Sequence, residues 1–235
     1  MQETAVPGAY QNPCMDESVR TVPMRATKEH PDLRILQGSV GPGSTGAAIW
    51  NSSILLKRLV EEMDCWKDSS VLELGCGTGL VSLTIKALGA RRVVATDGNM
   101  AVLERAAQSA QLNQLLLETA TLSWGLLEAA DYFDAADWVI GSDLTYSPGN
   151  WPALADTMAA IAKYRVLYLT LAHAGFSNEM DGFLTVASSR SGLVVDQEYT
   201  RNVRSILMDR CLFSAEERKL VQEGRGVSVV VLRRA

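Results

Sequence analysis

The chain has 235 residues, of which 47% are hydrophobic and 21% charged, and its formal net charge is −5. That length favours one domain around a single large core. No apolar run approaches the roughly 18 residues that a membrane span needs, and the net acidity speaks against a general nucleic-acid-binding surface. The first residues, MQETAVPGAY, lack a basic start followed by an apolar stretch; the expectation is a soluble, cytoplasmic chain without a secretion signal, with the nucleus left open. Cys14, Cys65, Cys76 and Cys211 form no CxxC pair, and the histidines are His30 and His173, so neither a metal site nor a disulfide framework is expected. The charge is uneven: between Asp97 and Asp143 eight acidic residues face Arg105 as the one basic residue. Such a stretch suits either a cationic partner or a solvated acidic face.

Five of the seven prolines, Pro7, Pro13, Pro23, Pro31 and Pro42, precede residue 43. Residues 1–43 therefore read as an irregular lead-in, with a short hairpin near Leu33–Leu36, and 44–235 as the structured domain. GPGSTG at 41–46 punctuates the boundary, after which Ile54, Leu55, Leu59, Val60 and Met63 share one helical face, with Ser52 or Ser53 as cap. β-rich runs follow at Ser70–Leu74, Arg92–Thr96, Thr119–Leu122, Trp138–Gly141 and Val166–Leu171, alternating with helical patterns at Leu80–Leu88, Met100–Leu112, Trp151–Ala162 and Asn178–Ser188. This rhythm predicts an open, mostly parallel α/β sheet with helices on both faces. Gly192–Tyr199 and Val227–Leu232 read as strands separated by a helical pattern around Ala215–Val221, so the chain is expected to end in an antiparallel pair at one sheet edge.

Val71–Leu80, VLELGCGTGL, carries an apolar strand into glycines at alternate positions and then a helix. Gly75, Gly77 and Gly79 permit a sharp turn and close approach to a ligand at the carboxyl end of a strand. The spacing is GxGxG, not the GxGxxG that seats a pyrophosphate, and Glu73 just before it would repel phosphate and suit an ammonium group. Asp97 ends the next strand 22 residues after Gly75. A carboxylate there can accept hydrogen bonds from both hydroxyls of a ribose, or can cap the following helix. Loop and carboxylate together point to a nucleoside-bearing ligand.

Four blocks stand in order: Thr45–Trp50 (TGAAIW), Glu73–Gly79 (ELGCGTG), Ser123–Gly125 (SWG) and Ser142–Tyr146 (SDLTY) after the apolar Trp138–Ile140. In these the chain, from about Gly41 to its end, resembles the seven-β-strand S-adenosylmethionine-dependent methyltransferases, and more narrowly the methyltransferase-like protein-lysine methyltransferases with a DxxY motif. The resemblance implies a Rossmann-like, seven-stranded sheet over 44–235 and S-adenosyl-L-methionine as cofactor. It implies that Trp50 closes the pocket over the amino-acid end of the cofactor, that Trp124 stacks on its adenine, and that Ser142 contacts it, beside Glu73, Gly75, Cys76, Gly77, Gly79 and Asp97. The alternative for each tryptophan is a packing residue.

Asp143 and Tyr146 follow the fourth strand of the domain, where they would stand at the ligand-binding end of the sheet. A carboxylate there can hold a lysine head group and an aromatic ring can flank its stem; alternatively Asp143 caps a turn before Ser147-Pro-Gly and Tyr146 is ordinary core. Cys76 reads as a small loop residue, not a nucleophile, and His173, after the fifth strand, as a structural histidine with a substrate-facing role as the alternative. The family often has an arginine shortly after its fifth strand, whereas this chain reads Ala172-His-Ala-Gly-Phe176. The expected activity is N-methylation of a lysine of a protein substrate by a monomer, with no nucleic-acid or membrane partner. A small-molecule amine, a protein histidine, or non-catalytic cofactor binding are the alternatives.

Overall fold

The computed structural model describes residues 18–25, 27–41, 45–125, 136–171, 179–209 and 227–235. Its elements in chain order are β1 (Ser18–Pro23), β2 (Asp32–Gln37), α1 (Asn51–Glu61), β3 (Ser70–Leu74), α2 (Leu80–Ala87), β4 (Arg92–Asp97), α3 (Met100–Leu112), β5 (Glu118–Thr121), β6 (Ala136–Ser142), α4 (Trp151–Ile161), β7 (Ala162–Leu171), α5 (Glu179–Ser191), β8 (Leu193–Val195), α6 (Gln197–Asp209) and β9 (Val227–Arg234). The main sheet has the order β5-β4-β3-β6-β7-β9-β8. β3 to β7 pair in parallel, and β9 runs antiparallel to both β7 and β8. The expected seven-stranded α/β sheet with a C-terminal antiparallel pair is thus present, with β8 at the edge and β9 inserted inside it.

Successive residues of the central strands serve opposite faces. Val71, Ile140, Leu167, Val229 and Val231 pack with Leu56, Leu59 and Val60 of α1 and Val203 and Leu207 of α6. Leu72, Val139, Val166, Val230 and Leu232 pack with Leu154 and Met158 of α4 and Phe183 of α5. Because both faces are covered, these strands read as nearly unbroken apolar runs, and at about 25 cal/mol per Å² such burial is the main stabilising contribution.

Part of the lead-in is more ordered than its prolines suggest. β1 and β2 form six antiparallel pairs from Ser18↔Gln37 to Pro23↔Asp32, and Leu33 and Ile35 are fully buried against Leu80, Leu83 and Ala110. The edge of β2 is satisfied by α3 and its C-cap: the Arg34 N–H donates to Asn113 Oδ1 at 2.8 Å and the Leu36 N–H to Ser109 Oγ at 2.9 Å. Neighbouring backbone is tied to α1, where Lys57 donates to the Pro23 carbonyl and to Glu61, and Glu61 accepts the Arg25 N–H at 2.7 Å. Residues 1–17 lie outside the described residues, Cys14 among them.

Two local expectations are corrected. Neither Ser52 nor Ser53 caps α1: Trp50 occupies that position without a side-chain cap, Ser52 is buried inside the helix, and the Ser53 hydroxyl donates back to the Trp50 carbonyl at 2.8 Å. The strand expected at Gly192–Tyr199 stops at Val195, and α6 begins at Gln197. Asp196 causes the switch, its Oδ1 accepting the Tyr199 N–H at 3.0 Å, after which Tyr199, Val203, Ile206 and Leu207 form an apolar face against the core. The helical pattern at Ala215–Val221 and Cys211 lie outside the described residues.

Candidate active site

The strand order reverses at β3: the chain runs outward through β4 and β5, then crosses back to β6 on the other side of β3. Such a reversal leaves a crevice beyond the carboxyl ends of the two diverging strands. A cavity of about 560 Å³ opens there, and of the residues singled out from the sequence Trp50, Glu73, Gly75, Cys76, Gly77, Asp97, Trp124, Ser142, Asp143 and Tyr146 line it. Gly79 does not. It holds the left-handed start of α2, where a Cβ would sit 3.0 Å from Ala106 Cβ, so it serves helix packing.

The β3 end of the cavity is shaped by backbone. Gly75 and Gly77 have φ of 58° and 52°, values that side chains rarely permit. A Cβ on Gly77 would lie 3.1 Å from the Gly46 carbonyl oxygen, so the loop is laid directly on the Thr45–Gly46 backbone. Thr45 in turn holds the Trp50 ring, accepting its Nε1–H at 2.8 Å. Asp97 ties the loop to the end of β4: Oδ2 accepts the Gly77 N–H at 3.2 Å and Oδ1 the Asn99 N–H at 3.0 Å. The cap of α3 is Asn99, which accepts the Ala101 N–H at 2.9 Å, so Asp97 is not committed to capping.

Burial raises the pKa of Asp97 while its backbone hydrogen bonds restrain the rise. Glu73 is 2% exposed, and its Oε2 accepts the Ser82 N–H at 2.8 Å and the Ser82 hydroxyl. Burial pushes its carboxyl up to about 7, against the bonds from Ser82 and with a small further push from Asp97. A cation placed near Glu73 would therefore draw out its proton. Burial, with the charges of Glu73 and Asp97, keeps the Cys76 thiol far above its ordinary pKa, which makes it inert as a nucleophile.

At the β6 end, Asp143 has φ of 59°, its N–H donates to the Leu169 carbonyl at 2.9 Å, and Oδ1 accepts the Thr170 hydroxyl at 3.0 Å and the Leu171 N–H at 3.2 Å. Tyr146 is 52% exposed and lines the mouth of the cavity, so it is not a core residue. Between them Leu144 joins the two ends: a Cβ on Gly75 or on Gly141 would come 2.5 or 2.7 Å from its methyl carbons.

No Lys, Arg or His appears among the described lining residues, whereas Glu73, Asp97 and Asp143 do. The acidic stretch is not all gathered here, however. Glu118 pairs with Arg92 at 2.8 Å and Asp137 accepts the Ser70 N–H at 2.8 Å, both where their strands begin, away from the cavity. Glu104 points to solvent on α3, and Glu128, Asp131 and Asp134 lie outside the described residues, as do His173 and the 172–176 segment. The sequence reading passed over Gly46, which packs on the glycine loop, and Asn99 and Asn150, which join the lining. Thr45 and Gly46 stood inside a quoted block; the asparagines carried no signal beyond their place near strand ends.

Among known proteins, the family model described as lysine methyltransferase matches residues 27–187. The protein-lysine N-methyltransferase EFM3 of Chaetomium thermophilum is 28% identical over 186 residues, covering 72% of this chain and 55% of that protein. The protein N-lysine methyltransferase METTL21A of Xenopus tropicalis is 26% identical over 140 residues, covering 57% of this chain and 64% of that one. The chain thus spans between half and two thirds of the length of these curated relatives. In fold it is similar to the T. thermophilus 16S rRNA N2 G1207 methyltransferase, solved with AdoMet and guanosine, at a TM-score of 0.59, with 13% identity and coverage of 94% of this chain and 52% of that one. It is also similar to magnesium protoporphyrin IX methyltransferase from Synechocystis, solved with bound SAM, at a TM-score of 0.53, with 16% identity and coverage of 78% of both chains.

Proposed function

The chain belongs to the lysine methyltransferase family, and from that premise we propose that it moves a methyl group from S-adenosyl-L-methionine to a lysine side chain of a protein. The observation that carries this reading is the pairing of Asp143 and half-exposed Tyr146 at the mouth of a cavity whose other end holds the glycine loop, Glu73 and Asp97.

The residues present fit the cofactor. The loop around Gly75 and Gly77 has no side chains to keep a ligand away, and its carboxylates suit an ammonium group at Glu73 and ribose hydroxyls at Asp97. Trp124, partly buried against the core and reaching the cavity, is suited to stack on adenine. Trp50, held by Thr45, would close over the amino-acid end, with Cys76 and Ser142 contributing backbone contacts. When bound, the cofactor supplies an electrophilic methyl group on a positively charged sulfonium.

The chain's own residues then have to present a neutral amine to that methyl group in line, and alignment alone is worth several orders of magnitude in rate. A free lysine, with a pKa of about 10.4, enters protonated. Asp143 holds it by a charge-assisted hydrogen bond and Tyr146 flanks its methylene stem. Removal from water favours proton loss, which leaves Asp143 to orient the amine more than to act as a strong base. The exposure of Tyr146 supports a protein acceptor over an enclosed metabolite. Incubation with labelled S-adenosyl-L-methionine and a cell extract, followed by mass spectrometry, should place the label on lysine; label confined to histidine or to small amines, or cofactor binding with no transfer from any extract, would overturn the proposal.

A further inference from the structure

The turn that carries Asp143 and Tyr146 is gripped from behind by buried groups on β7 and α5 and by a partly buried one on α4. The phenol oxygen of Tyr168, fully buried on β7, accepts the N–H groups of Leu144 at 3.0 Å and Thr145 at 3.1 Å and lies 2.7 Å from Thr145 Oγ1. The Thr145 hydroxyl donates to Glu179 Oε1 at the start of α5. The protons can be assigned by counting: Thr145 has spent its own on Glu179, so the Tyr168 proton goes to Thr145 Oγ1. The Thr145 carbonyl is also taken, by Trp151 Nε1–H from α4 at 2.8 Å. Thr170 extends the chain to the site, donating to Asp143 Oδ1 at 3.0 Å with Glu179 Oε1 at 3.4 Å.

Glu179 is 5% exposed and Thr145 fully buried, and neither lines the cavity. A buried carboxylate needs strong donors, and here they are the hydroxyls that determine where the turn lies. Asp143 meanwhile holds a left-handed conformation, which an aspartate tolerates better than most residues but which still adds a backbone cost that the surrounding hydrogen bonds offset.

We propose that Glu179, acting through Thr145 and Tyr168, is a positioning residue that sets the Asp143–Tyr146 turn for the acceptor amine and takes no part in holding the cofactor. This rests on the reading of Asp143 and Tyr146 as the acceptor site. The cofactor loop is held by Asp97 at Gly77, and Ser82 holds Glu73 before it; the loop meets the turn at the Leu144 side chain, so a change made behind the turn at Glu179 should leave the cofactor end largely in place.

The test compares Glu179→Ala with Glu179→Gln, which keeps an acceptor oxygen in place. Three readouts are used: S-adenosyl-L-methionine affinity by titration calorimetry, amide exchange of Leu144 and Thr145 by NMR, and lysine labelling in a cell extract at saturating cofactor. Glu179→Ala should leave cofactor affinity within about twofold, speed exchange at both amides by about tenfold, and cut labelling by about tenfold, as expected for loss of a hydrogen bond to a charged group. Glu179→Gln should recover both to within about threefold. If Glu179→Ala fails to fold, Tyr168→Phe, which removes the phenol oxygen alone, should show the same split. Unchanged exchange and labelling, an equal loss of cofactor affinity, or failure of Glu179→Gln to recover would overturn the proposal. Calorimetry and exchange need no acceptor, so the two readings fail differently. A wild-type chain that labels no lysine sinks the functional reading and the amine-positioning role with it, whereas wild-type labelling with an indifferent Glu179 sinks the positioning role alone.

Discussion

At the β3 end of the cavity the surface is made by backbone in conformations only glycine adopts freely, fastened by Asp97 and Ser82, and Glu73 is almost completely enclosed. At the β6 end the surface is made by two side chains, one of them half exposed, whose turn is held by hydroxyls from Tyr168, Thr145 and Thr170. On the proposed function, one end can be rigid because its ligand would always be the same small molecule, whereas the other would receive part of a protein and so opens to solvent. Leu144, seated between Gly75 and Gly141, is where the two touch.

Four experiments would break or sharpen this division. The largest effect is expected from Asp143→Ala, which removes the group proposed to hold the amine: methyl transfer should fall by about a hundredfold or more while cofactor affinity stays within about twofold. A parallel loss of affinity in calorimetry would mean that the ends are not separable. The glycines come next. Gly77→Ala meets the Gly46 carbonyl, which cannot swing away, so an added left-handed cost of about 1–2 kcal/mol should weaken cofactor binding by about tenfold. Gly75→Ala meets the Leu144 side chain instead, and should also slow transfer at saturating cofactor by displacing the Asp143 turn.

A smaller effect concerns pH. With the Glu73 carboxyl pushed up to about 7 by burial, its ionised form, the one that attracts an ammonium group, grows as pH rises through that value. Cofactor affinity measured by calorimetry between pH 6 and about 8 should therefore increase, and Glu73→Gln should flatten the dependence. The unliganded protein should move the opposite way: a carboxyl raised in the folded state contributes stability that is complete below the ordinary value near 4.5 and is lost as pH climbs through about 7. Melting temperatures of the wild type and Glu73→Gln across that window provide the check. The smallest change is expected from Tyr146→Phe, which retains the ring proposed to flank the lysine stem; apparent KM for an extract substrate should shift by no more than about threefold, whereas a loss as large as that of Asp143→Ala would assign the hydroxyl a part in the chemistry.

The glycine loop was readable because its requirement is local: a strand, three alternate glycines and a helix start occupy adjacent positions, and each glycine is needed where it stands or, for Gly79, one helix turn further on. Asp97 was readable for the same reason, at a strand end a fixed distance away. The grip on the DxxY turn left no such trace. Glu179 is 34 residues from Thr145 and Tyr168 is 23 residues from it, and a Glu at the start of a helix reads as an ordinary solvated or dipole-favoured acid. The acidic stretch, open in the sequence between a cationic partner and a solvated face, is divided by the fold. Its charges are adjacent along the chain, but the alternation of strand ends sends Glu118 and Asp137 away from the cavity that Asp97 and Asp143 line.

By itself the sequence determined the α/β class, the strand and helix alternation, the glycine loop and the placing of Asp143 and Tyr146 after an apolar strand, because hydrophobic period and backbone freedom act over a few residues. Only the tertiary structure decided that the strand order reverses at β3, that Leu144 bridges the two ends and that Glu179 stands behind the Asp143–Tyr146 turn. Those outcomes depend on contacts between elements far apart in the chain, and no local pattern encodes which distant partner a buried polar group will find.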